Sequence, residues 1–251
     1  MLYKASSIQS CIVQATDGEL GKIKDLYFDS EKWTVRYLVI DTRKWLPGKK
    51  VLVSPVSFDN VALVNSRISI FASTDQIKNS PSVGEGEHQP ITRLQEIELH
   101  RYFGWTPYWI GEGLWGPGNI PILSNKEEEH YDTQLDDHHS YVRSVNELSG
   151  QMFGYNVVGM DYEEFGRVID FVIDDNSWVI HYLIVDTGNW LPGRKVAISP
   201  ESIDSIQWID KEIMIGLKAE EMEEQSTESD SVLELEEIPI DNLRTRHLLN
   251  K

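Results

Sequence analysis

Along Trp33–Asp41 the apolar positions recur every second residue. Trp33, Val35, Tyr37 and Val39 share one face, while Thr34, Arg36, Leu38 and Ile40 form a second that begins polar and turns apolar. A period of two predicts a strand with one buried face, and the change on the second face predicts passage from solvent to a covering neighbour. Trp178–Asp186 repeats the pattern, with His181 in place of Arg36. Leu20–Asp29 and Phe165–Asp174 read as longer strands, and Ile12–Ala15 as a short one before an Asp17-Gly18 turn. Leu46-Pro47-Gly48 suits a type II turn, Pro presetting φ and Gly accepting positive φ, and Pro192-Gly193 recurs at the matching place. Lys50–Val53 predicts a short strand. Ser54-Pro55 and Ser199-Pro200 read as an N-cap serine with proline at the first helical position. Short strands near Arg67–Ile70 and Glu212–Ile215 complete each pattern.

The two patterns are one segment written twice. Gly21–Ile70 and Gly166–Ile215 align without a gap at an offset of 145, with 20 of 50 positions identical. A repeat of this length is a small domain. Many short strands separated by turns predict a small antiparallel β-barrel for each copy. The fold class expected is therefore mainly β: two small barrels in tandem, joined by an irregular aromatic and acidic segment, with a few short helices. The boundaries expected are 1–72 for the first repeat, 73–141 for the linker, 142–218 for the second repeat and 219–251 for an acidic tail.

The middle differs in kind. Thr74–Asn79 predicts a short helix stopped by Pro81, and Leu94, Ile97 and Leu99 have helical spacing. Tyr102, Phe103, Trp105, Tyr108, Trp109 and Trp115 then cluster in a stretch whose five Gly and two Pro, from Gly104 to Gly118, oppose a regular element. Burial between the barrels is the expected fate of these rings, since an exposed cluster invites aggregation. Lys126–His139 is a polar, mostly acidic connector, and Ser144-Val145-Asn146-Glu147 fits a capping box. Gln225–Ser231 has no apolar residue and is expected to be disordered.

Charge and composition narrow the functional classes. A net charge of −18 and a pI near 4.7, with no Lys/Arg stripe, argue against nucleic acid and anionic membrane surfaces. A single cysteine, Cys11, cannot form an internal disulfide and suits a reducing cytosol. No signal peptide or membrane-spanning stretch is read, so a cytoplasmic location without membrane insertion is expected.

The signature strand-Asp-Thr-x-x-Trp-Leu-Pro-Gly-x-Lys-Val-x-x-Ser-Pro, preceded by a Gly-x-Val/Ile-x-Asp strand, resembles the PRC-barrel domain. That domain occurs in the cytoplasmic part of the photosynthetic reaction-centre H subunit and at the end of the small-subunit ribosome-maturation factor. The resemblance covers about 1–71 and 144–217. It implies a barrel used as a docking surface for other macromolecules. No counterpart of the H subunit's membrane helix or of the maturation factor's RNA-linked domain is expected from this sequence.

Candidate chemistry is sparse. Asp41 and Asp186 end matching strands. A carboxylate pair there could serve proton transfer, but each is expected to accept hydrogen bonds from its own loop, as are Asp25, Asp170, Asp29 and Asp174. Pro47, Gly48, Pro192 and Gly193 complete that structural set. Trp45 and Trp190 sit beside the turns, where a ring either folds over the barrel or meets a partner. His88, His100, His130, His138 and His139 lie in the middle segment but match no metal-ligand spacing. Phosphate-loop, dinucleotide, nucleophile-elbow and zincin motifs are absent. The expectation is a non-catalytic adaptor or scaffold without cofactor or metal, using Trp45, Trp190, Trp105, Trp109 and Trp115 as contacts to a protein partner. A symmetric homodimer is equally admissible. The alternative is a small-ligand or metal sensor with a site between the barrels, near Asp41, Asp186 and the histidines.

Overall fold

The computed structural model describes residues 1–43, 45–47, 49–83, 88–123, 142–149, 154–218 and 221–222. In chain order it contains β1 (Leu2–Lys4), α1 (Ala5–Gln9), β2 (Ile12–Gln14), β3 (Glu19–Asp29), β4 (Thr34–Ile40), β5 (Val51–Val53), β6 (Phe58–Ala62) and β7 (Arg67–Ile70). Next come α2 (Thr74–Asn79), α3 (Arg93–Phe103), β8 (Val142–Ser144), α4 (Val145–Leu148), β9 (Asn156–Val158), β10 (Glu164–Asp174), β11 (Ile180–Asp186), β12 (Lys195–Ile198), β13 (Ile203–Gln207) and β14 (Glu212–Ile215). As the Ser-Pro spacing predicts, Ser54 and Ser199 each accept a hydrogen bond from the amide two residues on, opening a 3₁₀ turn with proline in first place.

Each repeat supplies six strands of one seven-stranded sheet. The orders are β5-β4-β3-β2-β7-β6, with β8 also on β3, and β12-β11-β10-β9-β14-β13, with β1 also on β10. Pairing is antiparallel throughout except for β2 with β7 and β9 with β14. The long strands hold each barrel together. The register of β3 against β4 slips between Ile23 and Asp25 and again between Tyr27 and Phe28, and β10 slips at the matching places against β11. Such bulges bend a strand and raise its twist, so one strand serves both halves of a curved sheet. Gly21 and Gly166, the third residues of these strands, take φ 141° and 134°, which only glycine adopts readily.

The compact units cut across the expected boundaries. One consists of Met1–Ser6, Asn146–Asp175 and Val179 onward; the other consists of Ser7–Val145 with Asn176–Trp178. The cause is strand exchange: β1, at the start of the segment assigned to repeat 1, pairs with β10, and β8, at the start of the segment assigned to repeat 2, pairs with β3. The aspartates after the first bulge fasten these strands. Asp170 accepts the Phe171 amide at 2.8 Å, the Ser6 amide at 3.2 Å and the Ser6 hydroxyl at 2.5 Å. In the other unit Asp25 accepts the Leu26 amide at 2.8 Å and the Ser144 hydroxyl at 2.6 Å. Leu2 joins Val172, Ile184 and Ala197 in the core of its unit. Asp170→Ala should therefore cost about 1–2 kcal/mol, from three lost bonds of which two reach Ser6. Amide exchange should accelerate at Leu2–Lys4 while β14 stays protected.

The polar face expected on β4 is buried. All seven of its residues are inaccessible, Thr34 and Arg36 completely so. The middle segment covers that face in the repeat 1 unit, whereas His181, the counterpart of Arg36, remains half-buried. The corner residues Trp33 and Trp178 are not strand starts; each turns the chain at positive φ. Trp178 lies edge-on to Phe58 at 5.2 Å, and its carbonyl accepts the Val35 amide. Among the described residues no helix is long and apolar enough to cross a membrane.

Candidate functional site

The helix α3 brings two ionisable side chains, Glu96 and His100, into a buried interior. Thr92 and Gln95 form a capping box at its start, and Gly104 at φ 69° ends it, donating its amide to the His100 carbonyl. Glu96 and His100, four residues apart, share the buried face with Ile97 and Leu99. Tyr37 of β4 lies between them, its hydroxyl 3.0 Å from Glu96 Oε1 and 2.8 Å from His100 Nε2. Tyr108 donates to Glu96 Oε1 at 2.7 Å, and Arg93 reaches Oε2 at 2.7 Å. His100 Nδ1 faces the Trp105 carbonyl at 3.3 Å. A carbonyl only accepts, so Nδ1 carries the ring proton and Nε2 accepts from Tyr37. With the tyrosine proton directed to His100, its approach to Glu96 is satisfied when the carboxyl is protonated.

Beside this chain Arg36 is fully buried and pairs with Asp29 at 2.9 Å. It also donates to the Leu114 carbonyl, and its guanidinium lies 3.8 Å from the Tyr108 ring centroid and 4.8 Å from that of Trp115.

Burial governs the ionisation. It pushes Glu96 up to about 7 against the pull of Arg93 and the Tyr108 hydroxyl. It drives His100 down to about 3, helped by the nearby Arg93 and Arg36. The two groups act oppositely on stability. Glu96 binds a proton more tightly when folded, so its contribution is full at low pH and is lost as pH rises towards 7. His100 binds one less tightly when folded, so its contribution is full above about 6.5 and is lost as pH falls. Between about pH 4.5 and 6.5 they offset each other. Glu96→Gln should remove one arm, so that stability in that window rises more steeply with pH; denaturant melts at pH 5 and 6.5 check this. Glu96, His100, Tyr37 and Tyr108 are buried, and the chemistry of the cluster is to hold protons in place.

The structure places the candidate tryptophans differently from one another. Trp105 and Trp115 are 2% and 5% exposed. Trp105 stacks on Phe103 at 4.4 Å, and Trp115 donates its indole N–H to the Ser177 carbonyl at 2.8 Å. Both belong to the interior of their unit, which corrects their expected role as external contacts. Trp109 is half-buried, with the Arg93 guanidinium 4.2 Å from its ring centroid. Glu96, Arg93 and Arg36 were not singled out as a group. The spacing of Glu96 and His100 on the face that carries Leu99 was the available signal.

Trp45 and Trp190 are also half-buried, each on the loop after its Asp-Thr pair. The two loops are built alike. Asp41 Oδ1 accepts the Arg43 amide at 3.2 Å, and Asp186 Oδ1 accepts the Gly188 amide at 3.0 Å. The Thr42 hydroxyl reaches the Leu46 and Lys49 carbonyls, and the Thr187 hydroxyl reaches those of Leu191 and Arg194. Pro47 and Pro192 are exposed, Gly193 takes φ 78°, and Gly48 lies outside the described residues. The indoles diverge. Trp45 donates to the Leu20 carbonyl at 2.7 Å, whereas Trp190 tilts onto Phe165 at 4.8 Å. Trp190 thereby walls an open cleft of about 470 Å³, lined also by Glu164, Arg167, Ile169, Asp186 and Asn189.

His88 Nδ1 lies 2.8 Å from Ser144 Oγ and 3.4 Å from Asp25 Oδ2, at the β8 junction. His130, His138, His139 and the acidic connector lie outside the described residues, as does the tail beyond residue 222. Among the described residues no three His, Cys, Asp or Glu side chains converge as a metal site. Cys11 is buried, and burial raises its thiol pKa, which opposes use as a nucleophile. No curated protein matches the sequence. The PRC-barrel domain model matches residues 1–77 and 147–221, spanning both repeats. The chain therefore belongs to the PRC-barrel family and carries two copies of its domain in tandem.

Proposed function

We propose that the protein is a non-catalytic, cytoplasmic adaptor that binds a protein partner through the loop faces that follow the Asp-Thr pairs. The observation that carries this reading is the cleft beside Trp190, where a half-exposed indole meets polar side chains on a strand-end loop. Tryptophan in such a setting is the residue most enriched at binding hot spots. Glu96 and His100, the two groups that burial pushes towards their neutral forms, are enclosed in the repeat 1 unit. That separation of perturbed groups from open surface favours docking over turnover. Capture from native lysate on immobilised full-length protein tests the reading. Trp190→Ala should weaken capture of the partner by about tenfold or more, with Trp45→Ala adding to the loss, while the melting temperature stays within a few degrees. Capture unaffected by both substitutions would refute it.

A further inference from the structure

We propose that the cleft beside Trp190 takes the side chain of an arginine presented by the partner; this rests on the docking reading above. The chain contains its own template for the interaction. In repeat 1 the Asp41 carboxylate holds the Arg43 guanidinium by both arms, Nε to Oδ1 at 2.8 Å and Nη2 to Oδ2 at 2.6 Å. That contact keeps the Asp41 pKa down at about 2. In repeat 2 the position of Arg43 is Gly188. Asp186 still accepts the amide of its own loop, but among the described residues no cation is paired with it.

The other positions lining the cleft change in the same sense. Repeat 1 carries Glu19, Lys22, Lys24, Asp41, Arg43 and Lys44, four cations against two carboxylates. At the matching positions repeat 2 carries Glu164, Arg167, Ile169, Asp186, Gly188 and Asn189, one cation against two carboxylates. The formal charge summed over these sequence positions thus goes from +2 to −1. The remaining cation, Arg167, donates Nε to Asn156 Oδ1 at 2.9 Å, and the two carboxylates outweigh its charge.

The walls suit the rest of an arginine. Ile169 and the Trp190 indole offer apolar surface to its methylene stem, and an indole face attracts a guanidinium. Asp186 offers the two oxygens that a planar guanidinium pairs with more specifically than an ammonium does. Trp45 donates its indole N–H to Leu20, but among the described residues the Trp190 N–H has no acceptor. It remains available to a backbone carbonyl of the incoming segment. A net charge of −18 steers basic segments towards the molecule in general, and the cleft gives one of them a specific seat.

Isotope-labelled full-length protein titrated with N-acetyl-arginine amide, followed by NMR, tests this. Saturable shifts should appear at the Gly188 and Asn189 amides and the Trp190 indole N–H, with half-saturation in the range of about 1–10 mM expected for so small a fragment. N-acetyl-citrulline amide, the same shape without the charge, should bind at least about tenfold more weakly. Asp186→Asn should weaken the arginine compound by a similar factor, its unchanged remaining resonances showing that the fold is intact. Equal binding of the two compounds, equal binding by Asp186→Asn, or no shift at about 20 mM would overturn the assignment. If discrimination fails while lysate capture still depends on Trp190, the docking reading stands and only the arginine assignment falls. If capture is also independent of Trp190, both fall.

Discussion

Alanine at Gly166 should destabilise the repeat 2 unit by about 3–5 kcal/mol, near the upper end of single-substitution effects. A Cβ built there lies 2.1 Å from the Asp186 carbonyl oxygen and 2.8 Å from its carbon. Those are backbone atoms of a paired strand and cannot turn aside as a flexible side chain would. The φ of 134° adds strain for any L side chain. Because β10 carries β1, β9 and β11 at once, displacing its first turn disturbs most of the sheet. Gly21→Ala should behave alike in the repeat 1 unit, where the same carbonyl contact is 2.3 Å. Calorimetry of each variant should show a lowered transition, and a melting temperature unchanged by either would contradict the bulge geometry.

Arg36→Met should cost about 3–5 kcal/mol, since it leaves Asp29 as a buried carboxylate without its cation. Asp29 keeps two acceptor bonds, from the Glu31 and Lys32 amides, which soften the loss without replacing the charge. The Leu114 carbonyl also loses its donor, and the Tyr108 and Trp115 rings lose the guanidinium between them. Removing the second charge as well should reverse much of the damage. Arg36→Met with Asp29→Asn is expected to recover about half or more of the stability, because apolar and neutral groups of similar volume tolerate burial better than one unpaired ion. Urea titrations of the single and double variants give the comparison. A double variant no better than the single one would show that packing under Trp115, not charge, dominates.

Much of the barrel was legible because local rules and the global fold agree there. Alternation marked β4 and β11, Ser-Pro marked the 3₁₀ turns, and the identity of two distant segments marked a domain. The misread parts are those where distant chain decides the environment. Arg36 looks like a solvated strand residue, since nothing within ten positions reveals that the 104–118 stretch lies over it. The expected bounds 1–72 and 142–218 count residues 2–4 and 142–144 with the repeats they adjoin, because sequence adjacency is the default guide to pairing. The contacts of Ser6 with Asp170 and of Ser144 with Asp25 join residues 164 and 119 positions apart, beyond the reach of periodicity. Trp105 and Trp115 could not be told from Trp190 by residue type; only the covering surfaces separate a core indole from a rim indole. The Arg43-to-Gly188 exchange was visible from the start as one mismatch in the repeat. Its meaning came only with the cleft.

The docking claim is tested most directly by a photo-crosslinking residue placed at Asn189, exposed on the rim of the cleft. Irradiated in its native cells, the protein should give a discrete adduct with one partner protein, and Trp190→Ala in the same chain should abolish it. An adduct of undiminished yield after Trp190→Ala, or no adduct at all from this position, would contradict the account.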